Sequence, residues 1–258
     1  KANIFDLNAS QATVGDAFKF AFDTLKVAGR RDEYVYRAAL VEKILMGKHS
    51  LRTASMLNEF RAGECKADLV ILNGTSTVYE IKSERDSLFR LKKQVENYKK
   101  VFAAVNVIAS ENHISRVLET VPEDVGVLCL SQHYQISIVR EPVEDPARIC
   151  PKMVFEALRA NEAVAILKRF GVSVPEVPNT QRHALLSKLF ADLDPANLHS
   201  QFVKILKRSR DLSPLSELVD QLPKALHASA LSVAVRQKDR DRLVEAVRMP
   251  LRSTATWS

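Results

Sequence analysis

The chain has only three cysteines in 258 residues, Cys65, Cys129 and Cys150. They are odd in number and far apart, with no Cys-x-x-Cys pair and no histidine at zinc-finger spacing beside them, so neither a disulfide framework nor a structural zinc site is supported. The six histidines stand singly, a pattern that favours packing or surface roles over metal ligation. No apolar run approaches the roughly 18 residues that a membrane span requires. The amino terminus lacks a basic stretch followed by an apolar block. The expectation is a cytoplasmic protein with no membrane partner. The one tryptophan, Trp257, is terminal and receives no role.

With 46% hydrophobic and 27% charged residues, the chain has the composition of an ordinary globular protein with a sizeable core, in one large domain or two modest ones. Net charge is +7, unevenly spread: residues 150–258 hold 17 Lys/Arg against 11 Asp/Glu and so carry +6 of it. Such an excess suits a polyanion, since neutralising phosphates and releasing counterions supplies most non-specific nucleic-acid affinity. A solvated basic surface is the plain alternative.

An amphipathic piece runs from Val14 to Leu25, and a firmer helix from Asp32 to about Met46, where Val35, Leu40, Val41, Ile44 and Leu45 recur at helical spacing before Gly47. Residues 55–61 and 67–72 read as strands, the second joined to a strand at Thr77 to Ile81 through Asn73-Gly74, a strong hairpin signal. A helix from about Asp86 to Phe102 follows. Buried strands at Val105 to Ala109 and Val125 to Leu130 flank a short helix at Ile114 to Thr120, and Gln135 to Val139 reads as an edge strand. The pattern is α/β, with a mixed central sheet flanked by helices. Near Glu141 to Pro151, three prolines and several acids read as a linker, dividing the chain into residues 1–145 and an all-helical, basic carboxyl-terminal domain, 146–258. There Gly171, Asp194-Pro195, Ser213-Pro214 and Pro223 mark the ends of about four or five short helices.

The chemistry centres on Asp68 and on Glu80-Ile81-Lys82. Alternation along a strand puts Glu80 and Lys82 on one face and lets the Ile81 carbonyl face the edge. A strict two-residue turn at Asn73-Gly74 would send Asp68 to the other face. A loop of odd length, such as Leu72-Asn73-Gly74 with Gly74 left-handed, brings all three together. Two carboxylates and a carbonyl form a hard oxygen set suited to Mg²⁺ or Mn²⁺. Lys82 beside them would stabilise charge developing on phosphorus. Asp86, Arg90, Gln94 and Tyr98 follow at i, i+4 spacing as a polar helix stripe, which is either a solvated face with an Asp86–Arg90 ion pair or a support for the metal site and substrate.

The run Ala67-Asp68-Leu69-Val70, Tyr79-Glu80-Ile81-Lys82-Ser83, Asp86, Arg90-Leu91 and Gln94-x-x-x-Tyr98 resembles a bacterial and phage branch of the PD-(D/E)XK nucleases, the Gln-x-x-x-Tyr element being similar to that of RecB-type and phage exonucleases. The motifs cover about residues 32–110, and Ala67 stands where the family often has proline. The resemblance implies a restriction-endonuclease-like sheet, catalysis by Asp68, Glu80 and Lys82 with Gln94 and Tyr98, substrate binding by Asp86 and Arg90, and a metal held by Asp68, Glu80 and the Ile81 carbonyl. It also implies a further acid from the first core helix or nearby. Glu33 is the first candidate, with Glu42 and Glu59 behind it.

Lys204, Lys207, Arg208 and Arg210, and later Arg236, Lys238, Arg240 and Arg242, are basic clusters without the interleaved aromatics of a stacking platform. Lys204, Lys207 and Arg208 are taken as phosphate contacts. The resulting expectation is a Mg²⁺- or Mn²⁺-dependent nuclease acting on DNA, with the helical domain available for a homodimer or protein partner. The rival is a non-catalytic nucleic-acid-binding or adaptor protein on the same fold. Replacing Lys82 by Ala is expected to leave stability nearly intact, whereas Val70→Asp is not.

Overall fold

The computed structural model describes residues 12–233 and 235–252; Trp257 lies outside them. Six strands form one sheet in chain order: β1 Ser55–Ala62, β2 Cys65–Asn73, β3 Thr75–Lys82, β4 Ala104–Ser110, β5 Gly126–Leu130 and β6 Ile136–Arg140. The first three pair antiparallel as two hairpins. β3, β4 and β5 are parallel, and β6 returns antiparallel as the far edge. This mixed topology follows from the connections. Short turns join antiparallel neighbours, whereas each parallel step needs a crossover, and these are supplied by the helices α3 Leu91–Lys99 and α4 Ile114–Thr120.

Alternation along β2 and β3 divides their side chains between two cores. Val70, Leu72 and Val78 join one, with Leu91, Val95 and Phe102 from in and around α3. Leu69, Ile71, Tyr79 and Ile81 join the other, beneath α2 Glu33–Leu40. The Asp32 carboxylate caps α2 by accepting from the Val35 N–H at 3.3 Å. The helix continues as one π turn at Val41–Leu45, in which the Met46 N–H donates to the Val41 carbonyl at 2.9 Å. At the amino terminus, α1 Val14–Leu25 is capped by Thr13.

Beyond the linker, seven α-helices are present among the described residues: α5 Pro151–Ala157, α6 Ala160–Arg169, α7 Asn179–Ala191, α8 Pro195–Ser209, α9 Ser216–Gln221, α10 His227–Ser232 and α11 Gln237–Arg248. That exceeds the four or five expected. Gly171 (φ +71°) follows α6, and Asp194 caps α8 ahead of Pro195 as the sequence indicates. Ser213-Pro214 instead opens a single 3-10 turn before α9.

These helices pack against the sheet. Phe202 of α8 meets Phe60 of β1 edge to face at 6.2 Å, and buried His199 accepts from the Ser76 backbone N–H at 3.2 Å. Leu212, Val219, Ala228 and Leu231 complete the opposite core. No described helix is long and apolar enough to cross a membrane.

Candidate functional site

The β2–β3 hairpin turns on Gly74, at φ +74°. Leu72 pairs with Ser76 and Asn73 with Thr75, leaving Gly74 alone between the paired residues. The connection is odd in length, as expected, but it is the single residue Gly74 and not the three-residue loop Leu72-Asn73-Gly74. Gly74 takes the positive φ that a side chain would resist. Glu80 and Lys82 therefore continue the face of Val70 and Val78 and point toward α3.

Asp68 reaches the site by another route. Ala67 lies in the α3-side core and Leu69 in the other, so alternation breaks at Asp68. On β1 the residue level with it, Glu59, has φ +48°. Regular β2–β3 pairing ends at Leu69–Tyr79, and in the opening seam Asp68 Oδ2 accepts the Ile81 N–H at 2.7 Å. The N–H and C=O of one strand residue face the same neighbour, so the Ile81 carbonyl opens into this seam too.

Glu80 is 1% exposed and Lys82 6%. Lys82 Nζ lies 2.8 Å from Glu80 Oε1 and donates to Gln94 Oε1 at 3.0 Å. The Gln94 amide nitrogen donates back to Glu80 Oε1. Tyr98 O–H reaches Glu80 Oε2 at 2.6 Å and the Lys66 carbonyl at 2.8 Å, one proton shared between two acceptors, which ties β2 to β3. The buried carboxylate thus has partners on both oxygens, as burial demands.

Burial pushes the Asp68 carboxyl up to about 7, helped by the charges of Glu80 and Glu33 and opposed by the Ile81 N–H and Lys82. Burial and the Glu80 charge raise the Tyr98 phenol, keeping it a donor. Burial first, and then the Glu80 and Glu33 charges, disfavour the ionised carboxyl, and a cation beside it would offset both. Among the described residues no three His, Cys, Asp or Glu side chains converge as a metal cage. The donor set is Asp68, Glu80 and the Ile81 carbonyl, which is hard, oxygen-only and incomplete, and it fits a small divalent ion that keeps water and substrate ligands.

The remaining candidates divide. Glu33 ion-pairs with Arg37, yet its charge is felt at Asp68. Glu59 turns outward to Lys66 at 3.4 Å, and Glu42 lies 3.5 Å from Lys224; the structure brings neither to Asp68. Asp86 is not on α3. It accepts the Ser83 N–H and hydroxyl at 2.8 and 2.6 Å, so the Asp86–Arg90 ion pair of the solvated-face alternative does not form, and the helix begins at Leu91.

Lys204, Lys207 and Arg208 line an open pocket of about 600 Å³ with Arg169, Gln201, Ile205 and Asp211. Lys207 Nζ also donates to the Thr53 carbonyl at 2.6 Å. Arg169 was not singled out from sequence and no local signal marks it, because packing of α6 on α8 brings it there. Arg210 is held by buried Glu162. In the last cluster Arg236 pairs with Asp239 at 2.7 Å and Arg240 donates to the Pro214 carbonyl.

The chain is 31% identical to Protein cII of Enterobacteria phage P4 over 147 residues, 55% of this chain and 54% of that protein; it thus spans about half the length of the curated relative it matches. Among solved structures it is similar to SPO1766, a protein of unknown function from Silicibacter pomeroyi, at 20% identity and TM-score 0.35 over 54% of this chain and 94% of that one. It is also similar to Pyrococcus furiosus SfsA in complex with Ca²⁺, at 17% identity and TM-score 0.26 over 41% of this chain and 61% of that one. The family described as Bacteriophage P4 protein cII matches residues 26–231, nearly the whole of the sheet and the helices that cover it, and the chain belongs to that family.

Proposed function

We propose that the protein is a nuclease of the PD-(D/E)XK type that hydrolyses phosphodiester bonds in DNA in the cytoplasm, with Mg²⁺ or Mn²⁺. The observation that carries this reading is the gathering of Asp68, Glu80 and Lys82 at one seam, with Gln94 bonded to both Glu80 and Lys82.

Asp68, Glu80 and the Ile81 carbonyl would hold the ion. When bound, it polarises the scissile phosphate and acidifies a water. The Lys82 side chain, 2.8 Å from Glu80 Oε1, would stabilise negative charge developing on phosphorus. Gln94 fixes the Lys82 ammonium against Glu80, and Tyr98 holds the second Glu80 oxygen. The Ile81 N–H orients Asp68. Arg169, Lys204, Lys207 and Arg208 hold backbone phosphates away from the reacting bond.

The test is to incubate the chain with supercoiled, linear and single-stranded DNA and with RNA, with Mg²⁺ or Mn²⁺, beside Asp68→Asn and Lys82→Ala. Cleavage that both substitutions remove supports the reading. Equal cleavage by all three proteins betrays a contaminant. A second reading, a nucleic-acid-binding protein without catalysis, is favoured by the Lys82 ammonium occupying Glu80 Oε1. Binding without cleavage would select it, and neither activity would leave an adaptor.

A further inference from the structure

Among the described residues Phe89 is the most exposed large hydrophobic side chain, at 93%. It lies on the segment between β3, which carries Glu80 and Lys82, and α3, which carries Gln94 and Tyr98. An isolated exposed apolar residue needs no explanation, but the backbone here is built to present this one. Asp86 accepts the Ser83 N–H and hydroxyl at 2.8 and 2.6 Å. Ser87 Oγ accepts the Phe89 N–H at 3.2 Å. Leu88 is buried in the core at 8% exposure, and its carbonyl accepts the Leu91 N–H at 3.0 Å. The chain is thus pinned on both sides of a ring held outward. Arg85 and Arg90 flank it, both exposed and neither ion-paired in the described structure.

We infer that Phe89 is a stacking platform for an unpaired nucleobase next to the cleaved phosphate, with Arg85 and Arg90 on the adjoining backbone phosphates. The inference rests on the nuclease reading for its substrate class. An aromatic face with flanking cations matches the chemistry of a single strand or frayed end, since every base has a π face and every link a charge. A closed duplex offers Phe89 only its terminal pair.

Binding of the full chain to a single-stranded 12-mer and a blunt 12-base-pair duplex, each with 2-aminopurine near one end, is measured in EDTA for wild type, Phe89→Ala and Phe89→Trp. Phe89→Ala should bind the single strand roughly tenfold more weakly, with the duplex changed less than about twofold, while Phe89→Trp retains the wild-type affinity and quenching of the probe. Equal binding by wild type and Phe89→Ala, or equal loss on both DNAs, overturns the platform; cleavage by the same Phe89→Ala protein in Mg²⁺ would then leave the nuclease reading standing. Selective loss in Phe89→Ala, together with no cleavage by the wild type in Mg²⁺, upholds the platform and sinks the catalysis. No binding of either DNA by the wild type removes both.

Discussion

Asp68 stands in a position that a carboxylate occupies at a cost. Its pKa is raised to about 7 by burial, Glu80 and Glu33, against about 4 for an unfolded aspartate. A raised carboxyl pKa contributes stability that is fully present below pH ~4 and is lost as the pH climbs through 7. Asp68→Asn removes that loss and can still accept from the Ile81 N–H. In EDTA at pH 8 it should be more stable than wild type by roughly 1–3 kcal/mol, the gap closing as the pH falls to 5, while cleavage disappears. Thermal melts at the two pH values check this; a less stable variant at pH 8 would mean that Asp68 carries no uncompensated charge. The neighbouring lysine corrects an expectation. Lys82 is 6% exposed and paired with a carboxylate that is 1% exposed, so Lys82→Ala strands a buried charge. Gln94 and Tyr98 still hold Glu80. Urea unfolding should therefore show a loss of about 2 kcal/mol, and activity should fall by about 100-fold or more.

At the scale of elements, the two hairpins differ in what their glycines must do. Gly74 needs only its positive φ, since an added Cβ meets nothing within 4 Å. Gly63, at φ +60°, sits where a Cβ would also strike the Asn97 side chain of α3 and the Met153 methyl of α5. Gly74→Ala and Gly63→Ala should each cost about 1 kcal/mol, measured by chemical denaturation, because the Asn97 amide and the Met153 methyl are ends of flexible side chains that can move aside. Much at this scale is legible in sequence. α1 and α4 have the bounds that periodicity indicates, and the six strands lie within a few residues of theirs, because burial on one or both faces imposes the pattern being read. The start of α3 is not legible: Asp86 looks like a helical residue until its carboxylate is seen bonded to Ser83. Neither the π turn at Val41–Leu45 nor the two-residue turn at Gly63-Glu64 leaves a periodic signature.

At the scale of the molecule, helices from beyond the linker share cores with the sheet on both faces. Unfolding followed by circular dichroism should therefore be one transition, and Phe202→Ala on α8, which removes the ring packed on Phe60, should lower the stability of the whole by about 3 kcal/mol; a carboxyl-terminal step melting alone would show that the shared core does not couple them. On the proposed function the basic pocket would act at this scale also. Replacing Lys204 and Arg208 by Glu should weaken binding of all DNA sequences alike and reduce the slope of log affinity against log salt by about 2, read by anisotropy titrations. The α/β pattern, the strands and the shared face of Glu80 and Lys82 were determined by sequence alone, since spacing, parity and residue chemistry are properties of the chain. Tertiary structure decided the rest. It placed Asp68 in the seam, Gln94 between Lys82 and Glu80, Glu59 outside and Arg169 beside α8, because each depends on where a distant backbone bends or packs, and local spacing carries no record of that.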